Sequence, residues 1–194
     1  GKGQVVTALI ERAGSRGHEI VPLARPEFDL AQIETIAPLL AASGAQAVIS
    51  AAAYTAVDKA EAEPDLAFAV NAAGPGALAQ AAAELGLPLV HLSTDYVFDG
   101  TKAAPYVETD PPHPLGVYGA SKLAGEEAVL AAHPAGSAIL RTSWVYSPFG
   151  ANFVKTMLRL AGEREELGVV ADQIGNPTSA LDIADGVMSV AERL

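Results

Sequence analysis

The segment that decides the fold reads Leu87-Pro88-Leu89-Val90-His91-Leu92-Ser93. It is short and nearly continuous in apolar residues, which is typical of a strand buried on both faces of a sheet. Similar runs occur at residues 19–23, 47–50 and 138–143. Longer Ala-, Leu- and Glu-rich segments with helical spacing separate these runs. The alternation predicts an α/β fold with a doubly wound parallel sheet.

Composition limits the domain count and the partners. The chain has 194 residues and 50% hydrophobic content, enough for one sizeable core but too few residues for two ordinary domains. Its formal net charge of -11 would repel nucleic acids and anionic membrane surfaces, so we expect neither as a partner. The absence of cysteine excludes disulfides and is compatible with a reducing compartment, so we expect a cytoplasmic protein.

Two long uncharged stretches, residues 35–57 and 66–83, raise the question of membrane spans. Proline and glycine interrupt both stretches, so each is better explained as a helix joined to a strand or a turn. Pro64 and Asp65 mark the start of a helix in the second stretch, and Gly86 marks its end. We therefore expect no membrane-spanning segment.

The start of the chain carries a weak chemical signal. Residues 1–6, Gly-Lys-Gly-Gln-Val-Val, lead into a helical pattern, as expected where a glycine turn brings backbone N–H groups to a pyrophosphate. However, no strand precedes this turn, and Val6 stands where a dinucleotide fingerprint usually has Gly or Ala. A flexible terminus explains the glycines equally well.

A second weak signal follows residues 19–23. Ala24 and Arg25 stand where an acidic residue would normally bind the ribose 2′-hydroxyl of NAD. A guanidinium suits a 2′-phosphate, which favours NADPH over NADH. A solvated loop arginine is an equally good explanation, so the preference between the two stays open.

The strongest chemical signal is Tyr118-Gly119-Ala120-Ser121-Lys122. Residues four apart on a helix share a face, so the phenol and the ammonium can project into one site. The nearby positive charge would lower the pKa of the Tyr118 phenol and ease proton donation to a developing alkoxide. The spacing alone proves little, because such pairs also arise by chance.

The strand upstream strengthens this signal. Its end reads Ser93-Thr94-Asp95-Tyr96, and the carboxyl ends of strands line the ligand crevice of an open parallel sheet. Thr94 is therefore placed to hydrogen-bond a carbonyl oxygen. A threonine that only satisfies backbone groups at a strand end remains an equal alternative.

Several motifs together resemble the extended short-chain dehydrogenase/reductases. They are STDYVF at 93–98, YGASKLAGE at 118–126 and RTSWVY at 141–146, with further likeness at 51–61, 152–158 and 172–178. The likeness covers nearly the whole chain in the right order. It implies a Rossmann-like fold in which residues 1–194 form an NAD(P)-binding domain with parts of a substrate site. It also implies reduction of the C4 ketone of a nucleotide-activated sugar, which would be the partner.

The resemblance implies a role for each matching residue. Tyr118 would be the general acid, Lys122 would tune it and hold the nicotinamide ribose, and Thr94 would orient the ketone. The residues implied to contact the sugar are Asp95, Trp144, Asn152 and Lys155. The residues implied to line the NADPH or NADH are Gly1, Gly3, Gln4 and Val5 at the phosphates, Asp29 and Leu30 beside the adenine, and Ala51, Ala52 and Tyr54 along the dinucleotide.

Alternatives to these roles remain open. Trp144 as a core aromatic and Asp29 as a helix N-cap would each explain the residue without a ligand. A non-catalytic NADP-binding regulatory subunit, or an epimerase or dehydratase that recycles its hydride, would explain the whole pattern.

The family pattern also has features that this sequence lacks. Family members have a strand before the glycine turn and a small substrate-binding lobe after residue 194, and we expect both to lie outside this sequence. The oligomeric state is open, with a homodimer as a candidate. We expect no metal, because the four histidines lack metal-ligand spacing.

Overall fold

Three parallel strands form the central sheet. The computed structural model describes residues 3–194, so the prediction at Gly1 lies outside the described residues. The strands are β1 (Val48–Ser50), β2 (Leu89–Thr94) and β3 (Ser137–Thr142), in the spatial order β1-β2-β3. Leu89 in β2 is in register with Val48 on one side and Ser137 on the other. A small parallel pair, β4 (Val145–Tyr146) and β5 (Thr178–Ser179), lies outside this sheet. Three of the four predicted strands and the parallel α/β fold are thus confirmed.

Helices connect and cover these strands. They are α1 (Gln4–Ala13), α2 (Ile33–Ala42), α3 (Val57–Ala60), α4 (Pro64–Phe68), α5 (Gly74–Leu85), α6 (Val117–Ala132), α7 (Phe153–Glu163) and α8 (Ala180–Ala191). A π-helical turn, Ala69–Ala73, joins α4 to α5. The helical run therefore begins at Pro64 and ends at Gly86, whose φ of 67° is the left-handed conformation that terminates many helices. None of the helices formed by residues 3–194 has both the length and the apolar character that crossing a membrane requires.

Both faces of the sheet are buried. Successive residues of a strand point to opposite faces, so Leu89 and Val90 of β2 belong to different hydrophobic clusters. Leu89 packs with residues of α2, α5 and α6, whereas Val90 packs with residues of α1 and α8. This two-sided burial explains the continuous apolar run of β2, and it is the layering that a doubly wound fold requires.

The prediction of a strand at residues 19–23 is wrong. This segment pairs with no strand of the described structure. Its apolar pattern supplies β propensity, but a strand also needs a neighbour with which to exchange backbone hydrogen bonds. Val21 and Leu23 are 54% and 40% exposed, and only Ile20 packs against the α1–α8 cluster.

Two glycines allow helix α6 to approach its neighbours closely. A Cβ atom at Gly119 would overlap the carbonyl oxygen of Tyr96, and a Cβ atom at Gly125 would overlap the carbonyl oxygen of Asn71. Both obstacles are backbone atoms, which cannot move aside as a side chain can. The first half of α6 therefore lies against the end of β2 and the π-helical turn because these two positions carry no side chain.

We predict that Gly125→Ala destabilises the protein although alanine favours helices. The added methyl group must displace the Asn71 backbone, and overpacking of this kind costs about 1–3 kcal/mol in free energy of unfolding. Gly186→Ala in α8 is the matched control, because its Cβ would meet no atom within 4 Å. The control should gain about 0.5–1 kcal/mol. Denaturant unfolding measures both, and a Gly125→Ala protein as stable as the wild type would contradict this packing.

Candidate active site

The carboxyl end of β2 meets the first turn of α6. Thr94 is the last residue of β2, and Tyr118 is the second residue of α6. The Thr94 hydroxyl lies close enough to the Tyr118 hydroxyl to lower its pKa by hydrogen bonding. The ring of Tyr96 packs edge-on against the ring of Tyr118, with centroids 5.4 Å apart. The structure therefore brings Thr94 and Tyr118 together.

Lys122 lies one helical turn after Tyr118 and is almost fully buried, with 2% of its surface exposed. Its Nζ donates to the carbonyl oxygen of Leu92 at 2.7 Å and lies 3.3 Å from Nε2 of His91. Burial lowers the pKa of Lys122 to about 8, although the Glu126 carboxylate partly offsets this. Lys122 is therefore mainly an ammonium ion at neutral pH.

The expected effect of Lys122 on Tyr118 is not found. The pKa of Tyr118 is raised, chiefly because burial disfavours the phenolate, and the charge of Asp95 adds to the rise. Only the hydrogen bond with Thr94 lowers it. The ammonium of Lys122 is not among the causes of this shift, and its direct contacts are with Leu92 and His91. Tyr118 is consequently a protonated phenol at neutral pH, able to donate its proton to an acceptor.

Asp95 lies at the same strand end. Its Oδ1 accepts a hydrogen bond from the Thr94 hydroxyl at 3.1 Å. Burial raises the pKa of Asp95, and hydrogen bonds from Thr94 and Ser143 oppose that rise. A hydroxyl, a phenol and a carboxyl group thus converge at the end of β2.

A buried asparagine that sequence reasoning missed connects two parts of this site. Asn71 Oδ1 accepts the backbone N–H of Tyr54 at 2.8 Å. Its Nδ2 donates to the carbonyl oxygen of Tyr54 at 3.1 Å and to the hydroxyl of Ser121 at 3.0 Å. Asn71 therefore fixes the loop after β1, which contains Ala51 and Ala52, to α6 at Ser121.

The location of Asn71 in the chain is also typical of a functional site. It lies in the π-helical turn between α4 and α5, and such turns are frequent at functional sites. The signal in the sequence was an asparagine within the uncharged stretch at residues 66–83, because a buried polar side chain needs partners.

A second unforeseen contact holds the start of α6. Oε1 of Glu61 accepts the backbone N–H of Val117, the first residue of the helix, at 2.8 Å. A carboxylate at a helix N-terminus satisfies an otherwise unpaired N–H group and interacts favourably with the helix dipole. Nearby, the Tyr54 hydroxyl donates to Glu63 at 2.7 Å. Besides the contacts made by Asn71, the Glu61 side chain therefore joins the segment after β1 directly to the N-terminus of α6.

Residues assigned to the cofactor and to the sugar also meet at the start of α1. Oε1 of Gln4 accepts hydrogen bonds from Ser147 Oγ at 2.7 Å and Asn152 Nδ2 at 2.9 Å. Asn152 is the N-cap of α7, where its Oδ1 accepts the N–H of Lys155 at 3.1 Å. The Lys155 ammonium donates to the carbonyl oxygen of Pro148 at 3.0 Å. Among residues 3–194, no side chain caps α1 at Gly3, so within that part of the chain the first-turn N–H groups at Gln4 and Val5 are available to an anion.

Trp144 has a strained backbone. Its φ of 45° lies in the left-handed region, which bulky residues rarely adopt. Its indole packs over Gly175, where a Cβ atom would come within 2.5 Å of Nε1. The side chain is 42% exposed, so the alternative that Trp144 is a core aromatic is wrong.

The residues assigned to the adenine side do not all present side chains to a ligand. Arg25 is exposed and lines an open cavity of about 400 Å³. Asp29 Oδ1 accepts the N–H of Ala31 at 3.0 Å, and the N-cap of α2 is Gln32, so the N-cap alternative for Asp29 is wrong. Leu30 is 5% exposed and belongs to the core, which leaves only its backbone to face an adenine.

That cavity is separate from the Tyr118 cluster. Its lining consists of Pro22, Leu23, Ala24, Arg25, Glu27, Phe28 and Leu39. None of these residues belongs to β2 or α6.

Several features fit a bound dinucleotide. The uncapped start of α1 suits a pyrophosphate, and the exposed Arg25 suits a phosphate on the adenosine ribose. Ser93 Oγ is buried and has no hydrogen-bond partner among residues 3–194, so it is available to a ligand or to water. Within the same described residues, no group of three or more His, Asp or Glu side chains is arranged to hold a metal ion.

Comparison with known proteins shows the family. The sequence model of the RmlD substrate binding domain matches residues 1–194, and the chain belongs to this family. It is 57% identical over 193 residues to a dTDP-4-dehydrorhamnose reductase of Sinorhizobium fredii, covering 99% of this chain and 64% of that protein. It is 53% identical over 185 residues to the reductase of the same name from Burkholderia thailandensis, covering 95% and 61% respectively.

A solved structure agrees with this assignment. The crystal structure of dTDP-4-dehydrorhamnose reductase from Bacillus anthracis in complex with NADP matches this chain with a TM-score of 0.93 and 42% identity. The match covers 98% of this chain and 68% of that one. The family resemblance found in the sequence and the Rossmann-like fold are thus confirmed. The chain spans 61–64% of the length of the two named relatives.

We predict that Asn71→Ala loosens the connection between the β1 loop and α6. The substitution leaves the N–H and C=O groups of Tyr54 without their side-chain partner, and each unsatisfied buried group costs about 1–3 kcal/mol. Unfolding free energy should fall, and the Tyr54 amide should exchange its hydrogen faster. Gln80→Ala on the exposed side of α5 is the control, because Gln80 bonds only to Glu84 four residues away. Unchanged exchange at Tyr54 in Asn71→Ala would rule out this connection.

Proposed function

We propose that residues 1–194 are the dinucleotide-binding domain, with part of the substrate site, of a dTDP-4-dehydrorhamnose reductase. The enzyme would reduce the C4 ketone of dTDP-4-dehydro-L-rhamnose to give dTDP-L-rhamnose, with NADPH or NADH as reductant. One observation carries the proposal: a buried ammonium, a protonated phenol and a threonine hydroxyl lie together at the end of β2. The names of the relatives support the particular substrate.

Each of the three residues has a distinct task in this proposal. Thr94 donates a hydrogen bond to the ketone oxygen and orients it. Tyr118 transfers its hydroxyl proton to that oxygen as negative charge develops there, and the phenolate remains. Lys122 holds the nicotinamide ribose through its buried ammonium. The bound nicotinamide supplies the hydride, and the protein supplies positioning and charge stabilisation.

Hydrogen bonding within the site must change when the substrate binds. The Thr94 hydroxyl faces both Asp95 and the Tyr118 hydroxyl in this structure, and it has only one proton to donate. Thr94 would therefore exchange Asp95 for the ketone oxygen. Asp95 would then be free to accept from a sugar hydroxyl, with Trp144, Asn152 and Lys155 as further sugar contacts.

The cofactor would follow the edge formed by α1, the segment after residue 23 and the loop after β1. Gly1, Gly3, Gln4 and Val5 would lie at the phosphates. Asp29 and Leu30 would lie beside the adenine, with Ala51, Ala52 and Tyr54 along the dinucleotide. Arg25 supports NADPH because its exposed guanidinium can pair with a 2′-phosphate.

We further propose that the enzyme is cytoplasmic, requires no metal and assembles as a homodimer. The first rests on the cysteine-free composition, and the last on family resemblance alone.

We predict that full-length protein oxidises NADPH when given the keto sugar. Tyr118→Phe should lower kcat by about 100-fold or more, because general acid catalysis contributes that much. Tyr106→Phe is the matched control. It loses the same hydroxyl, which here donates to Asp99, and should keep turnover near that of the wild type. A regulatory subunit or an epimerase would give no net NADPH oxidation. Equal kcat in Tyr118→Phe and the wild type would remove the proposed acid.

We also predict a fall in kcat/KM above about pH 8. The pKa of Lys122 is lowered to about 8, so its charge is complete below that pH and is lost above it. Tyr118 keeps its proton through this range because its pKa is raised above the usual value of 10. A profile from about pH 6 to about pH 10 measures the falling limb. A flat profile would contradict the role given to the ammonium.

A further inference from the structure

A chain of buried side chains lies behind Lys122, and the roles above use only its last member. His91 Nδ1 lies 2.9 Å from Ser50 Oγ, and His91 Nε2 lies 3.3 Å from Lys122 Nζ. Ser50 comes from β1, His91 from β2 and Lys122 from α6. Their exposed fractions are 4%, 0% and 2%, so water does not reach them and each polar atom needs a partner within the protein.

The protons in this chain can be assigned. A lysine ammonium only donates hydrogen bonds, so Nε2 of His91 must face it with a lone pair. The ring proton then lies on Nδ1 and is donated to Ser50 Oγ. Burial and the charge of Lys122 lower the pKa of His91 to about 3, so the imidazole stays neutral at physiological pH. His91 is therefore an acceptor toward Lys122.

Two protein acceptors consequently orient the Lys122 ammonium. One N–H group points to the carbonyl oxygen of Leu92 and a second to Nε2 of His91, which leaves the third unassigned. We propose that His91, fixed by Ser50, is a positioning residue that aims this third N–H at the nicotinamide ribose. This inference rests on the proposed function, because the third donor has a task only if a dinucleotide binds there.

The charged neighbours of Lys122 do not replace His91 in this role. Glu126 lies one turn further along α6, but both of its carboxylate oxygens are hydrogen-bonded by Arg141 of β3. Tyr118, on the preceding turn, is a neutral phenol. Glu126 therefore acts on Lys122 only through its field, and His91 and Leu92 supply the direct acceptors.

Two amide variants at position 91 separate positioning from simple space-filling. A glutamine side chain can place an acceptor oxygen near the position of His91 Nε2, whereas the shorter asparagine reaches only the position of Nδ1. Both are neutral, polar and hydrogen-bonding, so they differ chiefly in whether an acceptor reaches Lys122. His91→Gln should therefore retain an acceptor for the Lys122 ammonium, and His91→Asn should lose it.

The first readout is the pKa of Lys122, followed by NMR in full-length protein labelled at the lysine ammonium, without cofactor. Losing an acceptor destabilises the charged form, so in His91→Asn the pKa should fall by about one pH unit. In His91→Gln it should stay near the wild-type value of about 8. The falling limb of kcat/KM should move to lower pH in His91→Asn only. Equal pKa values in all three proteins would overturn the positioning role.

These results distinguish the two proposals. If the Lys122 pKa shifts as expected but no protein oxidises NADPH, the positioning of the ammonium stands and the reductase function fails. If the wild type turns over and the pKa does not move, the function stands and His91 has no part in it.

A measurement on the wild type alone covers the case in which a variant does not fold. Histidine nitrogen NMR of labelled protein reports which ring nitrogen carries the proton. We expect neutral His91 with the proton on Nδ1 down to about pH 5. A proton on Nε2 would direct an N–H group at the ammonium and would overturn the inference.

Discussion

The close approach of helix α6 to the carboxyl end of strand β2 is the constraint on which the candidate site depends. It is possible because Gly119 and Gly125 carry no side chain where backbone carbonyls of Tyr96 and Asn71 lie. The approach buries Lys122 against β2 and brings Tyr118 to Thr94. The parallel sheet beneath supplies a rigid edge, because both of its faces are packed by helices. A wider separation of α6 and β2 would leave the three groups as unrelated surface residues.

Burial at this contact sets the protonation states in opposite directions. It lowers the pKa of Lys122 because the ammonium is the charged form, and it raises the pKa of Tyr118 because the phenolate is the charged form. The raised pKa keeps the Tyr118 phenol protonated at neutral pH, and the lowered pKa of Lys122, about 8, still leaves its ammonium mainly charged there. The field of Glu126 partly offsets the effect of burial on Lys122, and the ammonium donates to the carbonyl oxygen of Leu92.

The strands and the Tyr118–Lys122 pair were predictable because their signals are local. Strands buried on both faces appear as continuous apolar runs, and a four-residue spacing places side chains on one helical face. Residues 19–23 have the same apolar pattern, but a strand also needs a neighbouring strand to pair with, and this pattern does not show whether one is present. Local reasoning therefore predicts which segments are able to form strands, and pairing decides which of them do.

The contacts that the sequence did not predict are long-range ones. Asn71 is 50 residues from Ser121, and Glu61 is 56 residues from Val117. His91 appeared in the sequence only as a histidine without metal-ligand spacing. Its contact with Ser50 arises from the strand register, and its contact with Lys122 arises from the packing of α6 on β2. The expected lowering of the Tyr118 pKa failed because burial of the phenol raises that pKa, and helical spacing does not report burial. Partners of buried polar groups follow from tertiary structure, which spacing along the chain does not encode.

The most direct test of this account is to follow the hydrogen that reaches the sugar. Full-length protein would be given the 4-keto sugar nucleotide and NADPH deuterated on the transferable face of the nicotinamide, and the product would be examined by mass spectrometry and NMR. The account predicts one deuterium at C4 of the product for each NADPH consumed. A product without deuterium at C4, or no product at all, would contradict hydride transfer at the meeting point of β2 and α6.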